Sequence, residues 1–153
     1  MACPCSRNRL WRSVLGDLSC PRKWQEVIVN AVTAPHALGR RGEELAVRHL
    51  ATLGWHILDR NWRCRDGELD IVAFDPEADA LVFVEVKTRA GLGFGDPLDA
   101  VTWRKQGKLR QLCLLWLAEH AVPAPTLRLD AIGVLLIPGE EPRLRHVKGI
   151  DGC

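Results

Sequence analysis

Two alternating runs set back to back constrain this chain most: "GELDIVAF" at 67–74 and "LVFVEVKTR" at 81–89. Side chains two apart share one face of a strand. Val82, Val84 and Val86 therefore lie on one face of the second run, and Leu81, Phe83, Glu85, Lys87 and Arg89 on the other. A strand apolar on one face and half apolar on the other is expected in the middle of a sheet, covered on both sides. The turn residues "DPEAD" between the runs predict an antiparallel hairpin with its loop at 76–79. Asp75 then pairs with Ala80, Val72 meets Phe83, and Phe74 meets Leu81. On the other face Leu69, Ile71 and Ala73 meet Val86, Val84 and Val82. The same register sets Asp70 opposite Glu85 and Glu68 opposite Lys87. A slip of one residue would put the two acids on opposite faces.

Directly opposed side chains have Cβ atoms roughly 4.5–5.5 Å apart, and like charges there destabilise a sheet. Two facing carboxylates on covered strands need a reason. One is a shared proton. Another is a hard divalent cation, Mg²⁺ or Mn²⁺, which takes a few carboxylates together with water and phosphate oxygens. Lys87 lies two residues beyond Glu85 and would sit beside such an ion. A metal to activate water and a cation at a developing oxyanion are what phosphodiester cleavage requires. The plainer alternative is a cross-strand salt bridge between Glu68 and Lys87, with Asp70 beside Arg89.

The rest of the chain supplies layers around this hairpin. "LGRRGEELAVRHLATL", 38–53, reads as a helix with Ala46, Val47, Leu50 and Leu53 on its apolar stripe. Residues 55–64 read as a strand ending in basic residues. Residues 98–121 read as a long amphipathic helix, and 127–136 and 143–150 as two further strands. Helix, three strands, helix and two strands predict an α/β layered sandwich with a mixed five-stranded sheet.

Both helices aim charge inward. Glu44 pairs with Arg48 at i,i+4 and reads as solvated. Glu43 falls on the apolar stripe and faces the sheet, either as a functional acid or as a carboxylate favoured near a helix start. On the second helix, Leu98, Val101, Leu109, Leu112 and Trp116 form a stripe that also contains Lys105, with Lys108 at its edge. "RKQGKLR", 104–110, is the densest basic cluster of the body, and a solvated face explains Lys105 poorly. Arg60, Arg63 and Arg65, interleaved with Trp62, form a second cluster. Both suit phosphate contacts; Trp62 suits the core equally well. The histidines are dispersed and receive no catalytic role.

Charge and cysteine usage narrow the setting. Residues 1–36 carry five basic and two acidic residues, and 37–153 carry 16 and 17. The body is near neutral, so an anion-binding surface must come from local clustering. Residues 1–36 lack periodicity and are expected to be a poorly ordered extension; a start assigned too far upstream is one account of them. The nuclease-like domain is expected over 37–153. The six cysteines form no pair of CxxC motifs, and Cys3, Cys5, Cys20 and His36 match no common metal spacing. Reduced thiols in the cytoplasm are expected. No apolar run approaches the ~20 residues of a membrane span, so no membrane partner is expected.

"GRRGEELAVRHL", "RNWRCRDGELDIVAF", "LVFVEVKTR" and "VTWRKQGKL" together resemble the YraN-type family, long labelled uncharacterised protein family 0102. The resemblance covers residues 38 to about 150. It implies a restriction-endonuclease-like three-layer sandwich, a central mixed sheet flanked by helices, similar also to Holliday-junction-resolvase-like nucleases. It further implies a PD-(D/E)xK-type site. Carried over by position, the helix acid is Glu43, the strand acids are Asp70 and Glu85, and the lysine is Lys87. Leu69-Asp70 stands where the motif has proline-aspartate, which removes no ligand.

The expected activity is that of a Mg²⁺- or Mn²⁺-dependent DNA endonuclease, with branched or damaged DNA as candidate substrates. Asp70 and Glu85 would bind the metal, Glu43 would assist through it or its water, and Lys87 would position water or phosphate. Arg63, Arg65, Arg89, Lys105 and Lys108 would hold the nucleic-acid backbone. Resolvase-like action would require a symmetric homodimer. The alternatives are a catalytically silent DNA-binding module serving repair or recombination, and a scaffold that binds neither metal nor DNA.

Overall fold

The computed structural model describes residues 35–91, 93, 96–100, 103–120, 122 and 126–150. The chain divides into two units, Met1–Ala37 and Leu38–Cys153, and the second carries the sheet, the candidate site and all but the first three residues of the first helix. The extension expected over 1–36 lies almost wholly outside the described residues, as do Cys3, Cys5 and Cys20.

The element order is α1 (Pro35–Thr52), β1 (His56–Cys64), β2 (Gly67–Asp75), β3 (Ala80–Ala90), a short 3-10 turn (Pro97–Ala100), α2 (Trp103–His120), β4 (Thr126–Leu136) and β5 (Arg143–Val147). The five strands lie side by side in chain order. β1–β2, β2–β3 and β4–β5 are antiparallel, and β3–β4 is parallel. Only a long crossover can join neighbouring parallel strands, and α2 lies within it. The "LVFVEVKTR" strand is central, as its two-faced pattern requires.

Each face of the sheet has its own core. One holds Ala46 and Leu50 of α1 with Trp55, Ile71, Ala73, Val82, Val84, Val86, Ile132 and Val134. The other holds Leu109, Leu112, Cys113 and Trp116 of α2 with Trp62, Leu69, Val72, Leu81, Phe83 and Leu129. The result is an α/β three-layer sandwich, helix on sheet on helix, consistent with the restriction-endonuclease-like architecture. The hairpin register is the expected one from Asp75–Ala80 through Val72–Phe83 to Ile71–Val84.

Beyond Ile71–Val84 the strands depart from the simple ladder. Leu69 and Ile71, two residues apart, pack into opposite cores. Trp62 of β1, paired with Leu69, follows it to the α2 side, while Arg60, paired with Ile71, reaches Glu44 of α1 at 3.1 Å. Between them Asn61 adopts φ 54°, a left-handed conformation that asparagine tolerates better than most residues. The pleat therefore reverses across both strands at Asn61 and Asp70. This corrects the expectation that Leu69 meets Val86. It also makes Trp62 a core residue, its indole N–H donating to Glu119 at 3.2 Å, and no part of an exposed aromatic-basic surface.

Two further boundaries differ. The helix expected over 98–121 begins as the 3-10 turn, so Leu98 packs against Gly133 of β4 from there, where a Cβ would lie 3.1 Å from its Cγ. Val101 lies outside the described residues. β5 ends at Val147, and Gly149 and Ile150 bond back onto β4 at Asp130 and Leu129.

Candidate active site

Asp70 stands where β2 and β3 part. Its Oδ2 accepts a hydrogen bond from the Val86 backbone N–H at 2.7 Å, so the carboxylate takes up a main-chain donor just past the last paired residues. Burial in this crevice pushes its pKa up to about 7, and repulsion from Glu85 adds to the shift. The two acids thus act on each other as the sequence predicted, although Asp70 has left the paired part of the ladder and is not a cross-strand partner of Glu85.

Glu85 is buried, 4% exposed on the central strand. An isolated carboxylate there would be strongly disfavoured. Two ammonium groups answer it. Lys87 Nζ lies 2.5 Å from Oε1, and Lys105 of α2 bonds to the same oxygen. Burial alone would depress the Lys87 pKa, but the adjacent Glu85 carboxylate outweighs it and holds the ammonium above its ordinary value. Lys105 is therefore part of the acid cluster in this structure. The sequence carried one signal of this: Lys105 sits on the apolar stripe of its helix, where a solvated cation has no place.

The helices hold these groups in position. Trp116 anchors α2, its ring edge-on to Phe83 at 5.8 Å and its indole N–H bonded to Asp59 of β1 at 2.9 Å. On the other face α1 comes unusually close to β3. A Cβ on Gly42 would lie 1.8 Å from the Thr88 Oγ1, so only glycine lets the helix backbone settle there. Glu43 follows directly, half-buried, and its charge contributes to the raised pKa of Asp70.

The remaining basic residues are spread more widely. Arg63 pairs with Glu68 at 3.1 Å, which replaces the expected Glu68–Lys87 contact. Arg65 is exposed. Lys108 is exposed one turn beyond Lys105 and bonds to Gln111 at 3.4 Å. The Arg89 Nε is buried and makes no hydrogen bond among the described residues. Glu44 bridges Arg48 at 3.6 Å and Arg60 at 3.1 Å, as a solvated salt bridge should.

A second polar network lies on the α1 side, and the sequence did not announce it. Asp130, fully buried, accepts from Arg128 and His146, each at 2.9 Å, and from the Gly149 N–H. Arg128 also reaches the buried Asp75 at 2.9 Å and lies over the Trp55 ring. Burial would lift the Asp130 pKa, but His146, Arg128 and Gly149 together hold it below the carboxylate range. The network is satisfied and ties β2, β4 and β5 together.

As a donor set for a divalent ion, Asp70 and Glu85 supply two hard carboxylates where the strands open. Among the described residues no three His, Cys, Asp or Glu side chains gather into a ready cage. Mg²⁺ fits such a pair, because it keeps several waters and is usually held by one or two carboxylates together with substrate phosphate. No helix of the described residues is long and apolar enough to cross a membrane.

Relatives share this domain over most of their length. Residues 42–134 match the profile described as "Uncharacterised protein family UPF0102". A UPF0102 protein of Nocardia farcinica is 50% identical over 123 residues, covering 80% of this chain and 95% of that protein. One from Acidothermus cellulolyticus is 48% identical over 132 residues, covering 80% of this chain and 98% of its own length. One from Mycolicibacterium smegmatis is 50% identical over 113 residues, covering 74% and 91%. The matched span runs from Gly42, which seats α1 on β3, to Val134 near the end of β4, and so contains Glu43, Asp70, Glu85, Lys87 and Lys105: this chain belongs to family UPF0102.

Proposed function

We propose that this domain is a divalent-metal-dependent endonuclease that hydrolyses phosphodiester bonds in DNA, with branched or damaged DNA as the favoured substrate. The observation that carries the reading is the Asp70–Glu85 pair. Two mutually repelling carboxylates at a strand divergence, with the Asp70 pKa lifted and a lysine two residues along the central strand, are poorly explained by stability alone. Asp70 and Glu85 would hold Mg²⁺ or Mn²⁺, which when bound activates water and offsets phosphate charge. Lys87, held rigidly on β3, positions the water or the phosphate oxygen. Glu43 adds negative potential at the metal side. Lys108, Arg63, Arg65 and Arg89 supply backbone contacts. Cutting both strands of a junction would take two copies related by symmetry.

A catalytically silent DNA-binding module is the second reading. It is favoured by one observation, the pairing of one Glu85 oxygen with two lysines. The test is a cleavage screen with Mg²⁺ and Mn²⁺ over single-stranded, duplex, flap and four-way-junction DNA. Asp70→Asn and Glu85→Gln serve as controls. Metal-dependent cleavage that disappears in both variants is expected. DNA binding without cleavage by the parent on every substrate would select the silent module.

A further inference from the structure

Resting on the nuclease reading, we propose that Lys105 is a removable internal cation: its ammonium holds Glu85 in the metal-free protein, and a nucleic-acid phosphate draws it away so that a divalent ion can take its place. Metal and nucleic acid would then each favour the binding of the other.

The argument begins with charge. Asp70 and Glu85, with Glu43 adding a third negative charge that acts on Asp70, face Lys87 and Lys105, and both lysines converge on one oxygen, Glu85 Oε1. A divalent ion arriving at this pair adds two positive charges to a crevice whose two ammonium groups already offset most of its negative charge. The added cation is opposed by like charge at close range, where a partly buried setting makes Coulomb terms large. Either a lysine leaves or an anion arrives with the metal. A phosphodiester satisfies both conditions, because it brings negative charge and gives a departing ammonium a new partner.

The two lysines differ in their freedom to leave. Lys87 is on the central strand, two residues from Glu85, with its side chain 25% exposed. Lys105 reaches in from the first turn of α2, and its side chain is 35% exposed. A long flexible stem lets an ammonium swing between partners at small cost. Lys108, one turn further along, is exposed, so a phosphate approaching this end of α2 meets two cations on the same helix. Linkage makes the coupling reciprocal: whatever DNA does to metal affinity, metal does to DNA affinity.

The test measures Mn²⁺ binding by the loss of the free-ion resonance in electron paramagnetic spectra. Full-length parent, Asp70→Asn, Lys105→Met, Lys105→Arg and Lys105→Met with Asp70→Asn are titrated with and without a short duplex, against a duplex-only control. Circular dichroism verifies that each variant is folded. Removing the competing charge should tighten Mn²⁺ binding about tenfold without DNA, while Lys105→Arg, which keeps the charge, should stay close to the parent. The duplex should tighten Mn²⁺ binding to the parent and have much less effect on Lys105→Met. Adding Asp70→Asn should abolish the tight binding. Equal or weaker Mn²⁺ binding by folded Lys105→Met, with Asp70-dependent binding retained in the parent, would overturn the removable-cation role and leave the nuclease reading standing. An absence of Mn²⁺ binding in every variant, with and without duplex, would overturn both.

Discussion

The Val86 backbone N–H donates to the Asp70 carboxylate at 2.7 Å, just beyond the last paired residues of β2 and β3. A side chain takes over where the main-chain ladder ends. That exchange lets two strands separate without stranding a buried donor. It also fixes Asp70 close enough to Glu85 for each charge to oppose the other.

Asp70→Asn should raise the melting temperature of the metal-free protein at neutral pH. The amide keeps the shape and can still accept from Val86. The folded Asp70 pKa is about 7 against an ordinary 3.8, so between those values the folded state binds more protons than the unfolded state. Stability from this group therefore falls as pH rises through that window. The advantage of the variant should be greatest above pH 7 and vanish below about pH 4. Thermal melts across this range check the sign, and the variant should no longer be stabilised by Mn²⁺.

Glu85→Gln should act in the opposite direction. Two ammonium groups would lose the carboxylate they share. Because both lysines are partly solvated, a loss of about 1–3 kcal/mol is expected. Denaturant unfolding of the metal-free protein measures it. A Glu85→Gln variant as stable as Asp70→Asn would show that the two acids are not in the different settings described.

Gly42→Ala tests the seat of α1. Alanine favours a helix by about 1 kcal/mol over glycine, but its Cβ would overlap the Thr88 hydroxyl. Overpacking of this kind costs about 1–3 kcal/mol. A net destabilisation is expected, partly relieved when Thr88→Ala is added, with circular dichroism melts of the single and double variants as the measurement.

Asp130→Asn should destabilise more than any of these, by about 3–5 kcal/mol, because it removes the buried charge that Arg128 and His146 share and leaves Arg128 with Asp75 alone. The Asp130 pKa is depressed, so its stabilisation is present above the ordinary carboxylate value and lost as pH falls through the lower folded value. Parent and variant should therefore converge in strong acid.

Lys108→Ala should weaken binding to all DNA sequences alike. Each duplex phosphate that no longer meets a cation lowers the slope of log affinity against log salt by about 0.9. Fluorescence anisotropy over a salt series reads that slope, and an unchanged slope would remove this end of α2 from the DNA interface.

The sequence by itself determined the central hairpin. Period-two burial leaves one register that keeps Val72 with Phe83 and Ala73 with Val82, and the folded strands adopt it. It also determined the layers, because each helix carries an apolar stripe that must be covered, and the sheet offers a face to each. Glu43, Asp70, Glu85 and Lys87 were legible for a related reason: charged residues on apolar faces are conspicuous when the faces are regular. The tertiary structure alone decided what happens where that regularity fails. Asn61 and Asp70 reverse the pleat of paired strands, and no alternation rule predicts the residue at which a strand breaks its own period. Lys105 finds Glu85, and Arg128 and His146 find Asp130, across loops and crossovers. Burial fixes which side chains turn inward, but which inward charge meets which is set by how the elements come together in space.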